Sequence, residues 1–168
     1  YFLAGMMVAP QVTVIPLATI FRDWGLIGKL PGMYLLYRGQ NSAFTIFLYT
    51  KFIRTVPIEL EEAALIEGAN SFQIYWKIIL PLVKPCTATA LVFVGRTIWN
   101  DFLNPLILLG GSKSITITLG IYQAIGDYIA DYGQVFTFVL MASLPVLILF
   151  LTMQDYFISG LTSGAVKG

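Results

Sequence analysis

No charged side chain appears between Tyr1 and Phe21, and comparable apolar runs return at 33–53, 85–109 and 135–158. A helix rises about 1.5 Å per residue, so about 20 residues cross the roughly 30 Å hydrocarbon core of a bilayer. Hydrocarbon offers no partner to backbone N–H and C=O groups, and a helix satisfies them internally. The chain is therefore read as an all-α membrane protein, a polytopic bundle of transmembrane helices forming a single domain over 1–168. Pro10 and Pro16 should kink the first run, which a transmembrane helix tolerates where neighbours bond the freed carbonyls.

Composition agrees with the bilayer as solvent. Hydrophobic residues make up 57% of the 168, charged residues 11%, and the mean hydropathy is +0.79, beyond an ordinary soluble domain. A net charge of +1 lacks the dense basic footprint that displaces counterions from nucleic-acid phosphates. There is no His and Cys86 is the only Cys, which excludes an intrachain disulfide, a His/Cys metal site and a His-based triad. Cys86 is read as a small apolar helix residue. No basic segment precedes a short apolar core at the start, so no signal peptide is read. A chain beginning at Tyr1 inside an apolar run is expected to lack upstream spans.

The segments between the runs orient them. Arg22–Gly32 mixes charge, Gly, Pro31 and Trp24, as an interfacial loop does. Lys51, Arg54, Lys77 and Lys84 flank or punctuate 54–81, and basic residues beside spans mark the cytoplasmic side. The first span then runs outward and the second inward. Gly110–Ser114 (GGSKS) is turn-like; its resemblance to a phosphate loop fails because Ser112 precedes Lys113, so nucleotide binding by this chain is rejected. Residues 115–131, with Tyr122, Asp127, Tyr128 and Asp131, suit the outer face. The small, Gly-rich tail 159–168 returns to the inside.

The cytoplasmic segment is a polar island carrying Glu59, Glu61, Glu62 and Glu67, four of the nine acidic residues. Pro57 suits a first helical turn, and the early glutamates suit the positive end of that helix's dipole. Leu60, Ala63, Ala64 and Glu67 fall on one face, which the two alanines leave shallow enough for another backbone to approach. Gly68 can take the left-handed cap that ends the helix. Asn70 and Gln73 have the spacing of a capping box for a second helix with an apolar stripe of Phe72, Tyr75, Trp76 and Ile79, stopped or bent at Pro81. By physics alone such a helix pair reads first as a solvated linker between two spans, since charged helix faces are usually just solvated.

Polar groups at membrane depth are the other feature that asks for a role. Arg38, Gln40 and Asn41 interrupt the second run, and Arg96, Asn100, Asp101 and Asn104 crowd the later half of the third. A charge at the centre of a span costs at least about 2.5–3.5 kcal/mol on insertion scales, so these groups should meet a cavity, a partner or the interface. Arg38 is open to two readings, snorkelling outward or lining a pathway. Arg96 and Asp101 are five apart, an imperfect intrahelical pair unless Pro105 loosens the turn.

Glu62-Ala63-Ala64, Gly68 after three residues, and Ile78, Leu80 and Pro81 after nine more resemble the EAA signature of ATP-binding-cassette importer permeases. WNDFLNP at 99–105 and the ending GLTSGAVKG at 160–168 are similar to the maltose-type carbohydrate permease subunits. The resemblance covers essentially the whole chain and implies that about two of six usual spans are missing from it. It implies a bundle of the importer-permease type whose helix bearing Glu62, Ala63, Ala64, Glu67 and Gly68 is a coupling helix seated in a cleft of the ATPase subunit. Glu62 would pair with a basic residue there, and the tail would reach toward the ATPase dimer interface. Further implied are a second permease subunit, a solute-binding protein outside, an inner-membrane location in a bacterium or archaeon, and no bond chemistry. No cofactor is expected in this chain, ATP being bound by the partner subunit. Two departures stand out: Arg38 and Arg96 where relatives carry uncharged or small residues, and Glu67 where Asp is commoner.

The candidate sugar path comprises Arg38, Asn41, Arg96, Asn100, Asp101 and Asn104, because sugar hydroxyls need side-chain donors and acceptors. Two other readings remain. One keeps the importer and changes the cargo to a non-sugar solute. The other is a self-contained channel or ion-coupled transporter, in which the buried charges gate or couple and transport proceeds without an ATPase.

Overall fold

Proline decides where the helices begin and break. In the computed structural model, which describes residues 2–126 and 132–165, α1 (Phe2–Met7) is separated from α2 (Pro10–Asp23) just ahead of Pro10. A proline disfavours helical geometry in the residue before it yet fits a first turn, so Pro10 ends one helix and starts the next. The first apolar run is thus two helices. The second run is α3 (Leu30–Ile53), 24 residues unbroken by Arg38–Ser42 and long enough to span at about 1.5 Å each.

The polar island folds as α4 (Glu59–Ile66), then α5 (Ser71–Ile74), a π-helical turn (Tyr75–Ile79) and the short α6 (Leu80–Leu82). Pro57 lies before α4 rather than in its first turn, where its carbonyl accepts from Leu60 N–H at 3.3 Å. Beyond Val83 the chain enters α7 (Lys84–Trp99), turned 66° from the Ser71–Leu82 segment. Pro81 brings no N–H to the Lys77 carbonyl and crowds it. The ladder widens locally, and Leu80 N–H bonds the Tyr75 carbonyl five residues back.

The third apolar run is also broken, between α7 and α8 (Leu103–Leu108). Pro105 cannot donate to the carbonyl of Asp101, four residues back, and the Thr118 hydroxyl bonds that carbonyl instead at 2.7 Å. After a turn with Gly111 at φ 79° come α9 (Ile117–Gly126) and α10 (Tyr132–Ala165). The expected Gly-rich tail is helical as far as Ala165. Asp127, Tyr128, Asp131 and residues 166–168 lie outside the described residues.

α7 packs along α10 and α3, α1 lies on α3, and α2 and α3 hold α8. Two cores form at opposite ends of α3. Ala18, Phe21, Met33, Leu36, Leu108 and Leu109 close one end; Ala64, Ile74, Ile79, Val83 and Cys86, joined by Leu48, Tyr49 and Phe52, close the other. Cys86 is there as a packed apolar residue. Gly32 lets the 24–29 loop fold onto α3, since a Cβ would meet the Leu26 carbonyl oxygen at 2.8 Å.

Between these cores the helices expose their apolar faces. Phe136, Leu140, Met141, Leu144, Leu147 and Ile148 of α10 are all solvent-facing in the isolated chain. A surface this continuous is stable against lipid or another subunit, not water. Among the described residues, Val135–Gln154 alone is a single helical stretch long and apolar enough to cross a membrane, with a mean hydropathy of 2.5. The bent pair Ser71–Leu82 and Lys84–Trp99 meets the same criterion when taken together.

Candidate functional site

Two sites emerge, at opposite ends of α7. The first is α4. Its C-terminus closes in a complete Schellman arrangement: Ala69 N–H donates to the Ala64 carbonyl at 2.9 Å, and Gly68 N–H donates to that of Leu65 at 3.0 Å. Gly68 sits at φ 82°, which a residue with a Cβ adopts only under strain, and nothing lies near enough to crowd an added Cβ. The reciprocal capping box of α5 follows at once. Gln73 N–H donates to Asn70 Oδ1 at 2.9 Å, and Asn70 N–H donates to Gln73 Oε1 at 3.0 Å.

This tight turn fixes how α4 is presented. Ala64, 7% exposed, is pressed into the core formed by Ile74, Ile79, Val83 and Cys86. Ala63 and Glu62 face outward, as do Leu60, Glu67 and Gly68, with Ile66 88% exposed. The two alanines do not share one docking face: Ala64 lets this chain's own second helix approach, and Ala63 is left to the outside. The apolar stripe of the second helix divides similarly. Ile74 and Ile79 are buried, whereas Phe72, Tyr75 and Trp76 point out, because the π turn shifts the face between 74 and 79.

The second site is built on the α7–α8 break. The Asp101 carboxylate accepts from Tyr37 Oη at 2.8 Å and from Asn104 Nδ2 at 2.7 Å. Asn104 Nδ2 also reaches Gln40 Oε1 at 3.5 Å. Trp99 Nε1 donates to the Ala142 carbonyl of α10 at 2.9 Å, next to the carbonyl that Pro145 leaves without a helical partner. WNDFLNP is therefore a broken-helix clamp, tying α7 and α8 to α3, α9 and α10 through Tyr37, Thr118 and Ala142.

Beside the clamp is a polar pocket of about 230 Å³ whose walls include Tyr37, Gln40, Asn41, Thr97, Asp101 and Asn104. Two buried atoms here have no hydrogen-bond partner among the described residues, Gln40 Nε2, a donor, and Asn104 Oδ1, an acceptor. Asn41 donates to the Tyr37 carbonyl of its own helix at 2.9 Å.

Of the candidate path residues, the fold gathers Asn41, Asp101 and Asn104. Arg38 is exposed along a second groove of about 930 Å³ on an adjoining face of α3, a groove that Tyr37 and Asn41 also line. Arg96 and Asn100 are exposed outside the pocket, and no ion pair joins Arg96 to Asp101 among the described residues. Tyr37 and Gln40 went unselected by sequence; their helical spacing with Asn41, at i, i+3 and i+4, was the available signal.

Described residues that are helical apart from their turns, with an uncovered apolar exterior, a pocket lined by polar side chains and an acidic helix at one end, define a membrane transport component in class. The chain belongs to the family described as binding-protein-dependent transport system inner membrane component, which matches residues 1–163. It is 38% identical over 97% of its length to the melibiose/raffinose/stachyose import permease protein MelC of Bacillus subtilis. It is 37% identical over 97% of its length to the multiple sugar-binding transport system permease protein MsmG of Streptococcus mutans. The chain spans 59% of each of these relatives. A bacterial ABC transporter involved in the import of the acidic polysaccharide alginate contains a similar structure, with a TM-score of 0.71 at 26% identity, over 92% of this chain and 61% of that one.

Proposed function

We propose that the chain forms the translocation-path and coupling portion of a permease subunit in an ATP-driven carbohydrate importer. The observation that carries this reading is α4: a short acidic helix, locked by the Gly68 cap onto the end of the bundle, holding Glu62 and Ala63 outward. Ala64 seats α4 in the core of Ile74, Ile79, Val83 and Cys86, so a push on α4 from outside passes into the segments that share that core. The sugar-importing names of MelC and MsmG support the choice of cargo.

In this reading an ATPase dimer docks on α4 from the cytoplasm and binds ATP, so the chain itself holds no cofactor and breaks no bond. A second permease subunit covers part of the exposed apolar surface, and a solute-binding protein delivers cargo on the outer face. Segment 54–81 and the C-terminus are cytoplasmic. The sugar passes the Asp101 pocket, whose lining by Tyr37, Gln40, Asn41, Thr97 and Asp101 offers both donors and acceptors to hydroxyls that give and take hydrogen bonds.

Glu62→Lys in the full-length subunit tests the coupling role. Glu62 is exposed, so insertion and stability should hold while ATPase co-purification or sugar-stimulated ATP hydrolysis is lost. Normal coupled uptake in that variant rejects the assignment. Uptake by the reconstituted permease without an ATPase would instead favour an ion-coupled transporter or channel.

A further inference from the structure

The aromatic side of the helix after α4 is unclaimed by the coupling role. Phe72, Tyr75 and Trp76 are 72%, 48% and 52% exposed, and their rings touch, with Trp76 centred 5.9 Å from Phe72 and 5.5 Å from Tyr75. The opposite side of the same segment, through Ile74 and Ile79, is seated in the core. The aromatic stripe therefore points away from the bundle. Charge is sorted along this stretch: every glutamate of the island lies at or before position 67, and residues 68–84 hold no acidic side chain but include exposed Lys77 and Lys84.

From this arrangement we infer that the 71–82 elbow is an interfacial lipid anchor, with Phe72, Tyr75 and Trp76 embedded at the headgroup level and Lys77 and Lys84 paired with anionic lipid phosphates. Aromatic rings with a polar edge partition to the membrane–water boundary. A basic flank adds attraction to an anionic leaflet that an acidic helix would lose. The 66° turn between this segment and α7 supplies the required geometry: when α7 stands across the bilayer, the elbow runs toward its plane. The acidic α4 is then held off the surface, facing water, by the same Asn70 and Gly68 caps. The inference needs only the membrane placement of α7; it survives if the cargo or the ATPase contact is assigned wrongly.

A nitroxide attached at Phe72→Cys, and separately at Tyr75→Cys, in the assembled full-length transporter reports its surroundings. Cys86 is buried, and protein without the new thiol gives the blank. In vesicles of phosphatidylcholine with phosphatidylglycerol, both labels should collide with oxygen more readily than with a water-soluble nickel chelate, at a depth of about 5–10 Å inside the headgroup boundary. Lys77→Glu with Lys84→Glu should move the labels outward, and pure phosphatidylcholine should do the same to the unaltered protein. Free access of the nickel chelate overturns the inference in favour of a solvated stripe. Exclusion of both reagents overturns it too and assigns the stripe to a protein contact, with the ATPase, a second permease subunit or the remainder of the full-length chain.

Discussion

Removing the Tyr37 hydroxyl and the Asp101 carboxylate, singly and together, measures how strongly the α7–α8 break is clamped to α3. Tyr37 Oη and Asn104 Nδ2 both donate to the same carboxylate, at 2.8 Å and 2.7 Å, from helices brought together only by folding. Hydrogen bonds to charged acceptors contribute about 1.5–3 kcal/mol in soluble proteins, whereas couplings between membrane helices average about 0.6 and reach about 1.7. Tyr37 and Asp101 are half-buried, which places the pair below the soluble upper limit. Its carboxylate acceptor, shared with Asn104 Nδ2, places it above the membrane average. The Tyr37→Phe and Asp101→Ala cycle should therefore give a coupling of about 1–1.5 kcal/mol. Asp101→Ala alone should cost about 2–4 kcal/mol, because it strips the partner from Tyr37 and from buried Asn104 at once. Unfolding of the purified subunit in mixed micelles, followed by tryptophan fluorescence, reads both numbers. A coupling under about 0.5 kcal/mol, the scatter of independent sites, would refute the clamp.

Gly68→Ala should destabilise by about 1–2 kcal/mol purely through its left-handed backbone, since nothing obstructs the added methyl; an unchanged unfolding midpoint would show that the cap is not held in that conformation. Ala64→Leu should cost about 1–3 kcal/mol by overfilling the contact with Ile74, Ile79 and Cys86, whereas Ala63→Leu, on the exposed side, should stay within about 0.5 kcal/mol. Equal losses from the two alanines would contradict their opposite placement.

Features closed by bonds within five residues were legible in advance. The Gly68 cap, the Asn70–Gln73 box and the bend at Pro81 each depend on a residue type and its immediate neighbours, and each is present. The breaks at Pro10 and Pro105 rest on equally local causes, yet Pro10 reads only as a kink and the run around Pro105 as one span, because hydropathy does not register a missing N–H. The π turn was hidden for a related reason. A regular 3.6-residue period puts Ile79 on the side of Phe72 and Trp76, and one widened turn separates them.

The sequence by itself determined that this chain is helical, apolar enough to need a bilayer, and punctuated by an acidic, capped helix, because composition and local bonding are carried by consecutive residues. Tertiary structure decided which of two adjacent alanines is buried, and that Asp101 bonds Tyr37, 64 positions away, rather than Arg96, five positions before it. It also decided that Gln40 joins the pocket while Arg38 faces another groove. Those outcomes depend on the rotation of each helix about its axis. Packing against distant segments sets that rotation, and a helix's own sequence leaves it open wherever several of its faces are apolar.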